Sequence, residues 1–217
     1  MNTELEQLDD KNIELCKVLY EIKESLELYK ITALNAGKIK SFGAGKTFFA
    51  YVQMLAQKSV AINMCCILEK QKGFELNSIP GLLSYIRDKG IAANDQSPID
   101  NFISKYGKSS QTLEETYSAF YSQHKQSIER IKNIRDKRIA HSEHPALTTA
   151  KNTTSLPSYD AMEKILTFGI DFYPMVARAY LENIFPVDYN RDAKVLTSTC
   201  SLLKKMGIDE ITKDFAD

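Results

Sequence analysis

Residues 4–33 read ELEQLDDKNIELCKVLYEIKESLELYKITA. Within them Leu8, Leu15, Leu19, Ile22, Leu26 and Tyr29 recur at spacings of three, four or seven. A helix turns by roughly 100° per residue, so these spacings gather the six side chains on one face. A half-buried strand would need strict alternation of apolar and polar residues, which is missing here. The stretch predicts one long amphipathic helix, stopped by Asn35 and Gly37.

The same period continues outward along the chain. Lys38 to Lys46 is short, basic and glycine-bearing and reads as a loop. A second long helix is expected over 46–71, with Phe49, Val52, Leu55, Ala56, Val60, Ile62, Met64, Ile67 and Leu68 covering most of its circumference. Such a helix belongs at the centre of a core, and Gly73 closes it. Ser78 with Pro80 opens a short helix through Leu82, Leu83 and Ile86 that ends at Gly90. Ser97 with Pro98 reads as an N-cap followed by proline at the first helical position, and that helix ends at Gly107. A fifth helix is expected from Ser110 to His141, traced by Leu113, Tyr117, Phe120, His124, Ile128 and Ile131 and stopped by His144-Pro145. Ala146 to Ser155 reads as a loop. Helices over 158–184, kinked at Pro174, and over 188–206, ended by Gly207, complete the reading. The fold class is all-α, a bundle of long antiparallel helices with short accessory ones. Residues 1–187 form the main helical domain, and 188–217 form a C-terminal helix and tail packed on it.

Bulk properties bound the function. Lys plus Arg number 28 and Asp plus Glu number 28, so the formal net charge is zero. A surface coated with positive charge for non-specific nucleic-acid binding is excluded, whereas a local basic patch is not. The cysteines, Cys16, Cys65, Cys66 and Cys200, contain no Cys-x-x-Cys pair and fit neither a zinc site nor a disulfide framework. They read as buried reduced thiols of a reducing compartment. With no secretory signal at Met1–Leu8 and no apolar run of the roughly 18 residues a membrane helix needs, the expected location is the cytoplasm.

Gly43-Ala44-Gly45-Lys46-Thr47 ends like a phosphate-binding P-loop. The full pattern needs glycine where Lys40 stands, and a buried strand before it where this chain has an amphipathic helix. It reads as an interhelical turn.

The stretch that carries chemistry is Arg135-Asp136-Lys137-Arg138-Ile139-Ala140-His141. Arg135 and Arg138 continue the apolar stripe of the fifth helix, where a charge needs a partner or a solvent channel. Arg135 and His141 would lie about 120° apart on an undistorted helix, so a frayed last turn or a second copy of the helix is needed to bring them together. The residues alone leave a plain alternative. Arg135 pairs with a carboxylate such as Glu163, and His141 interacts with the dipole at the helix C-terminus.

This heptapeptide resembles the signature of the HEPN superfamily: an arginine, a polar residue, a short spacer and a histidine near the end of a long helix. The order of helices over residues 5–185 is similar too, most of all to the AbiU-type branch tied to abortive infection of phage. The resemblance implies a homodimer formed through the motif helix. It also implies a metal-independent endoribonuclease of an abortive-infection or toxin–antitoxin system, acting on RNA, without cofactor or metal, and with an antitoxin protein as a further partner. Arg135, Asp136 and His141 are then the catalytic candidates. Lys132, Lys137, Arg138 and His144 are weaker candidates for contacting RNA, against the default of a solvated face. His124 reads as a core or groove histidine, and Tyr117 and Tyr121 as core residues at helical spacing, with base stacking as their functional alternative. Two other readings stay open. One is a non-catalytic helical module that binds RNA, a nucleotide or a protein partner, and the other is a purely structural bundle.

Overall fold

The computed structural model describes residues 3–43, 45–69, 77–136, 156–181, 193–208 and 210–212. Among the described residues the chain forms nine helices and no strand. They are α1 (Thr3–Leu34), α2 (Ala36–Phe42), α3 (Lys46–Leu68), α4 (Ile79–Asp88), α5 (Ser97–Tyr106), α6 (Leu113–Gln123), α7 (Lys125–Ile134), α8 (Tyr159–Tyr180) and α9 (Ala193–Lys205).

The stripe quoted above is the spine of the molecule. Leu8, Leu15, Leu19, Ile22 and Leu26 are each at most 1% exposed, and a side chain so enclosed contributes about 1.5–3 kcal/mol. α1 packs most extensively on α3 and next on α8. Its contact with α8 depends on Gly169, because a Cβ placed there would lie 2.5 Å from Leu19 Cδ2. Ser25 and Ser59 hydrogen-bond through their hydroxyls at 2.8 Å, and buried Asn12 donates to the Tyr173 carbonyl at 3.3 Å. Across the bundle Phe168 of α8 is wholly buried and stacks on Phe120 with ring centroids 3.9 Å apart.

Four expectations need correction. Residues 36–42 form α2 where a loop was expected, because Ile39 is 4% exposed in a second core cluster with Ile31, Phe49, Leu203 and Ile208. The helix expected over 110–141 is two helices, α6 and α7, interrupted at His124 (φ −101°, ψ 11°). The apolar steps run through that break unchanged, so periodicity alone cannot show it. Ser97 lies inside α5; its backbone N–H is received by Asp95 Oδ1 at 2.9 Å, and no side chain caps from Gln96. Finally, α3 does not bury most of its circumference, and its buried side chains are concentrated in its C-terminal half. Phe48, Tyr51 and Leu55 in its first half are exposed, and so is Ile62 further on, because the packing of α3 is concentrated on α1.

The N-cap at Ser78 is as expected, its Oγ accepting from Gly81 N at 3.1 Å. Ser158 caps α8 likewise, and Thr112 with Glu115 forms a reciprocal capping box on α6. Gly45, in the P-loop-like turn, is the left-handed residue (φ 85°) that starts α3 and follows a helix. No helix among the described residues is long and apolar enough to cross a membrane. α9 packs on α1. The stops assigned to Gly73 and His144-Pro145, the loop Ala146–Ser155 and the helix ends expected near 184 and 188 lie outside the described residues.

Candidate functional site

α7 buries Ile128, Ile131 and Ile134 and thereby fixes which way its last turn faces. α3 and α7 are packed neighbours. The helical path continues through Arg135 (φ −56°, ψ −53°) and widens into a π-type turn at Arg135 and Asp136, a local form frequent at functional sites.

The partner of Arg135 comes from far away in the sequence. α3 ends at Leu68, and Glu69 leaves it in an extended conformation (φ −86°, ψ 132°). Its carboxylate meets Arg135 Nη1 through Oε2 at 2.5 Å and Lys132 Nζ through Oε1 at 3.7 Å. Arg135 Nε donates to Asp136 Oδ1 at 2.8 Å. Lys132 Nζ also donates to the Tyr121 hydroxyl at 3.0 Å and lies 5.5 Å from that ring's centroid. Two cations and two carboxylates thus form one nearly neutral cluster. Arg135, Glu69 and Lys132 are about three-quarters buried, whereas Asp136 is half exposed. The hydrogen bond with Glu69 is the main reason the Arg135 guanidinium holds its proton even more firmly than usual.

The floor beneath the cluster is Cys65. Burial pushes its thiol up to about 12, against the pull of the Arg135 charge, so it is an inert structural thiol. Cys66, partly exposed, is also raised by burial. The Tyr117 hydroxyl donates to the Leu68 carbonyl at 2.6 Å and its ring faces Phe168 at 6.3 Å, which makes Tyr117 a core strut between α6 and the end of α3.

The structure therefore brings together Arg135, Asp136 and Lys132 of the sequence candidates. His141, Lys137, Arg138 and His144 lie outside the described residues. Glu163 is not the partner of Arg135: it sits on α8 beside the groove that holds His124. Sequence reasoning missed Glu69. A signal was there, since Ser59 to Leu68 carries no charge and Glu69 ends that apolar run. Periodicity places a residue on a face but does not pair it across helices.

His124 belongs to a different place, an open groove of about 370 Å³ lined by Lys105, Tyr106, Phe120, Asp160 and Lys164 among others. Its ring tilts on Phe120 at 4.5 Å. Burial, then the Lys164 charge, lowers its pKa. The length of α7 at about 1.5 Å per residue separates it from Arg135. Among the described residues no group of His, Cys, Asp and Glu is arranged to hold a metal ion.

With an arginine and a polar neighbour at the end of a long-helix pair in an all-α chain, the comparison with known families becomes specific. Residues 5–197 match the model of the HEPN family AbiU2. The chain belongs to the AbiU2 family of HEPN domains. The match covers the bundle from α1 into α9, further than the resemblance over 5–185. No curated protein and no solved structure matches the chain. Membership makes this an HEPN domain of the abortive-infection type.

Proposed function

We propose that this AbiU2-family chain is a metal-independent endoribonuclease of an abortive-infection or toxin–antitoxin system, active as a homodimer. The observation that carries the reading is the cluster at the end of α7. Arg135 is held on Nε and Nη1 by Asp136 and Glu69, at the start of the Arg-Asp-x-x-x-x-His motif of an HEPN domain.

The chemistry suits these residues. The RNA 2′-OH attacks the adjacent phosphorus, so an O2′–P bond forms and the P–O5′ bond breaks. An imidazole with a pKa near neutrality can take the 2′ proton or protonate the departing O5′. His141 has this role in the proposal, with the two copies of a dimer supplying base and acid. The Arg135 guanidinium braces the negative charge that builds on the equatorial phosphoryl oxygens. Asp136 orients Arg135, and Lys132, Lys137, Arg138 and His144 guide the backbone locally, in keeping with the zero net charge.

One observation favours a second reading, a non-catalytic module that binds RNA, a nucleotide or a protein partner. Glu69 and Asp136 already balance the charges of Arg135 and Lys132, so a phosphate must compete with resident carboxylates. Induced expression in a bacterial host separates the two, with the wild type, Arg135→Ala and His141→Ala compared for growth and for integrity of total RNA. Growth arrest and RNA breakage by the wild type alone supports the nuclease. Intact RNA from all three, at equal soluble expression and under phage challenge, supports the binding module.

A further inference from the structure

We infer that Glu69 is the positioning residue of the site: it fixes the plane of the Arg135 guanidinium so that its outer edge meets the scissile phosphate. The inference rests on the nuclease reading and adds a residue outside the motif to it.

Asp136 cannot fix that plane alone. It neighbours Arg135 in the chain, it is half exposed, and an exposed ion pair constrains little. Glu69 comes from 66 residues away and is itself locked. Its backbone N–H donates to Cys65 O at 3.0 Å. Its carbonyl accepts from Ser78 Oγ at 2.9 Å, and its Oε1 faces Lys132, which Tyr121 steadies. The ends of α3 and α7 and the start of α4 therefore meet at this one residue, its carboxylate held from α7 and its backbone from α3 and α4.

The placement is unfavourable by local rules. A carboxylate just past a helix C-terminus opposes the helix dipole, which favours cations there. A neutral side chain would suit the end of α3 better, and burying a charge costs more still. Departures of this kind concentrate at functional sites. Held on Nε and Nη1, the guanidinium cannot swing about its last torsions, and its other N–H groups keep one direction. Bidentate contact with a phosphoryl group depends on that direction, and a displacement near 1 Å costs about 100-fold in rate.

The test follows cleavage of a short fluorescein-labelled single-stranded RNA by the wild type, Glu69→Ala and Glu69→Gln. Binding of the same strand made wholly of 2′-O-methyl ribose, which cannot be cleaved, is measured for these and for Arg135→Ala with and without Glu69→Ala. Glu69→Gln keeps shape and an acceptor for Nη1, and guards against misfolding of the alanine variant. The expected result for Glu69→Ala is a kcat about 100-fold lower with KM no higher, since removing a negative charge does not hinder ground-state binding of RNA. Glu69→Gln recovers about tenfold of that loss. The effect of Glu69→Ala on binding is expected to differ at least threefold between the wild-type and Arg135→Ala backgrounds, the mark of coupled neighbours. Wild-type or faster cleavage by Glu69→Ala overturns the inference, as does an equal effect on binding in both backgrounds, which makes Glu69 a general charge. If the wild type cuts RNA no faster than Arg135→Ala, the nuclease reading fails by itself. The binding cycle then decides between a Glu69 that orients Arg135 for phosphate and one that does not.

Discussion

Replacing Phe168 with alanine is the sharpest test of what holds α6, and through it α7, against the bundle. Phe168 is fully buried. Its ring meets Phe120 at 3.9 Å, Tyr106 at 4.8 Å, Phe102 at 5.1 Å and Tyr117 at 6.3 Å. Truncating a buried phenylalanine costs about 3–5 kcal/mol. Four aromatic neighbours, each worth about 0.5–1.5 kcal/mol beyond area when well placed, put this site at the upper end, near 5 kcal/mol. Rigid rings on several elements also collapse poorly into the hole. For a chain of this length each kcal/mol moves the midpoint by about 2–4 °C, so Phe168→Ala is expected to melt about 10–20 °C lower. Phe168→Leu keeps part of the volume but loses the ring contacts, and is expected to lose about 2–3 kcal/mol. Urea titration and thermal melting followed by far-UV circular dichroism measure both. A loss under about 2 kcal/mol for the alanine variant would refute the reasoning, since it lies below the range for any well-packed phenylalanine.

Two further outcomes concern titrating groups. His124 is held with a folded pKa below its ordinary 6.5 by burial; the unfolded chain therefore binds its proton first, and the histidine's contribution is intact above that value and lost as pH falls below it. Urea melts between about pH 7 and 5 should show stability declining more steeply in the wild type than in His124→Asn, and identical slopes would sink the assignment. Cys65, with its thiol pushed to about 12, has only about one molecule in ten thousand ionised at pH 8, against roughly a quarter for a free thiol. Its alkylation by iodoacetamide, read by peptide mass, should await unfolding, and prompt labelling in the native state would contradict the burial.

The long helices were legible because apolar spacing survives tertiary context. α1, the C-terminal half of α3, α4 with Ser78 as its cap, and α8 all announce themselves by period and cap. α2 did not. Seven residues with a glycine and two lysines (Ala36–Phe42) make a poor isolated helix, and they are helical because Ile39 packs against Phe49 and Leu203. The interruption at His124 was hidden by steps of four that pass through it. At the site the motif singled out Arg135 and Asp136, while Lys132 stood outside it as a candidate for contacting RNA against a solvated face. What pairs Arg135 across the bundle was not visible, because Glu69 and Arg135 meet only after α3 and α7 pack.

The hydrogen bond from Ser78 Oγ to the Glu69 carbonyl has a practical consequence. It ties Glu69 directly to the residue that caps α4. Losing the Ser78 hydroxyl therefore removes two bonds at once, the cap of α4 and the tether of the Glu69 carbonyl, so a substitution far from the motif reaches the residue that holds Arg135.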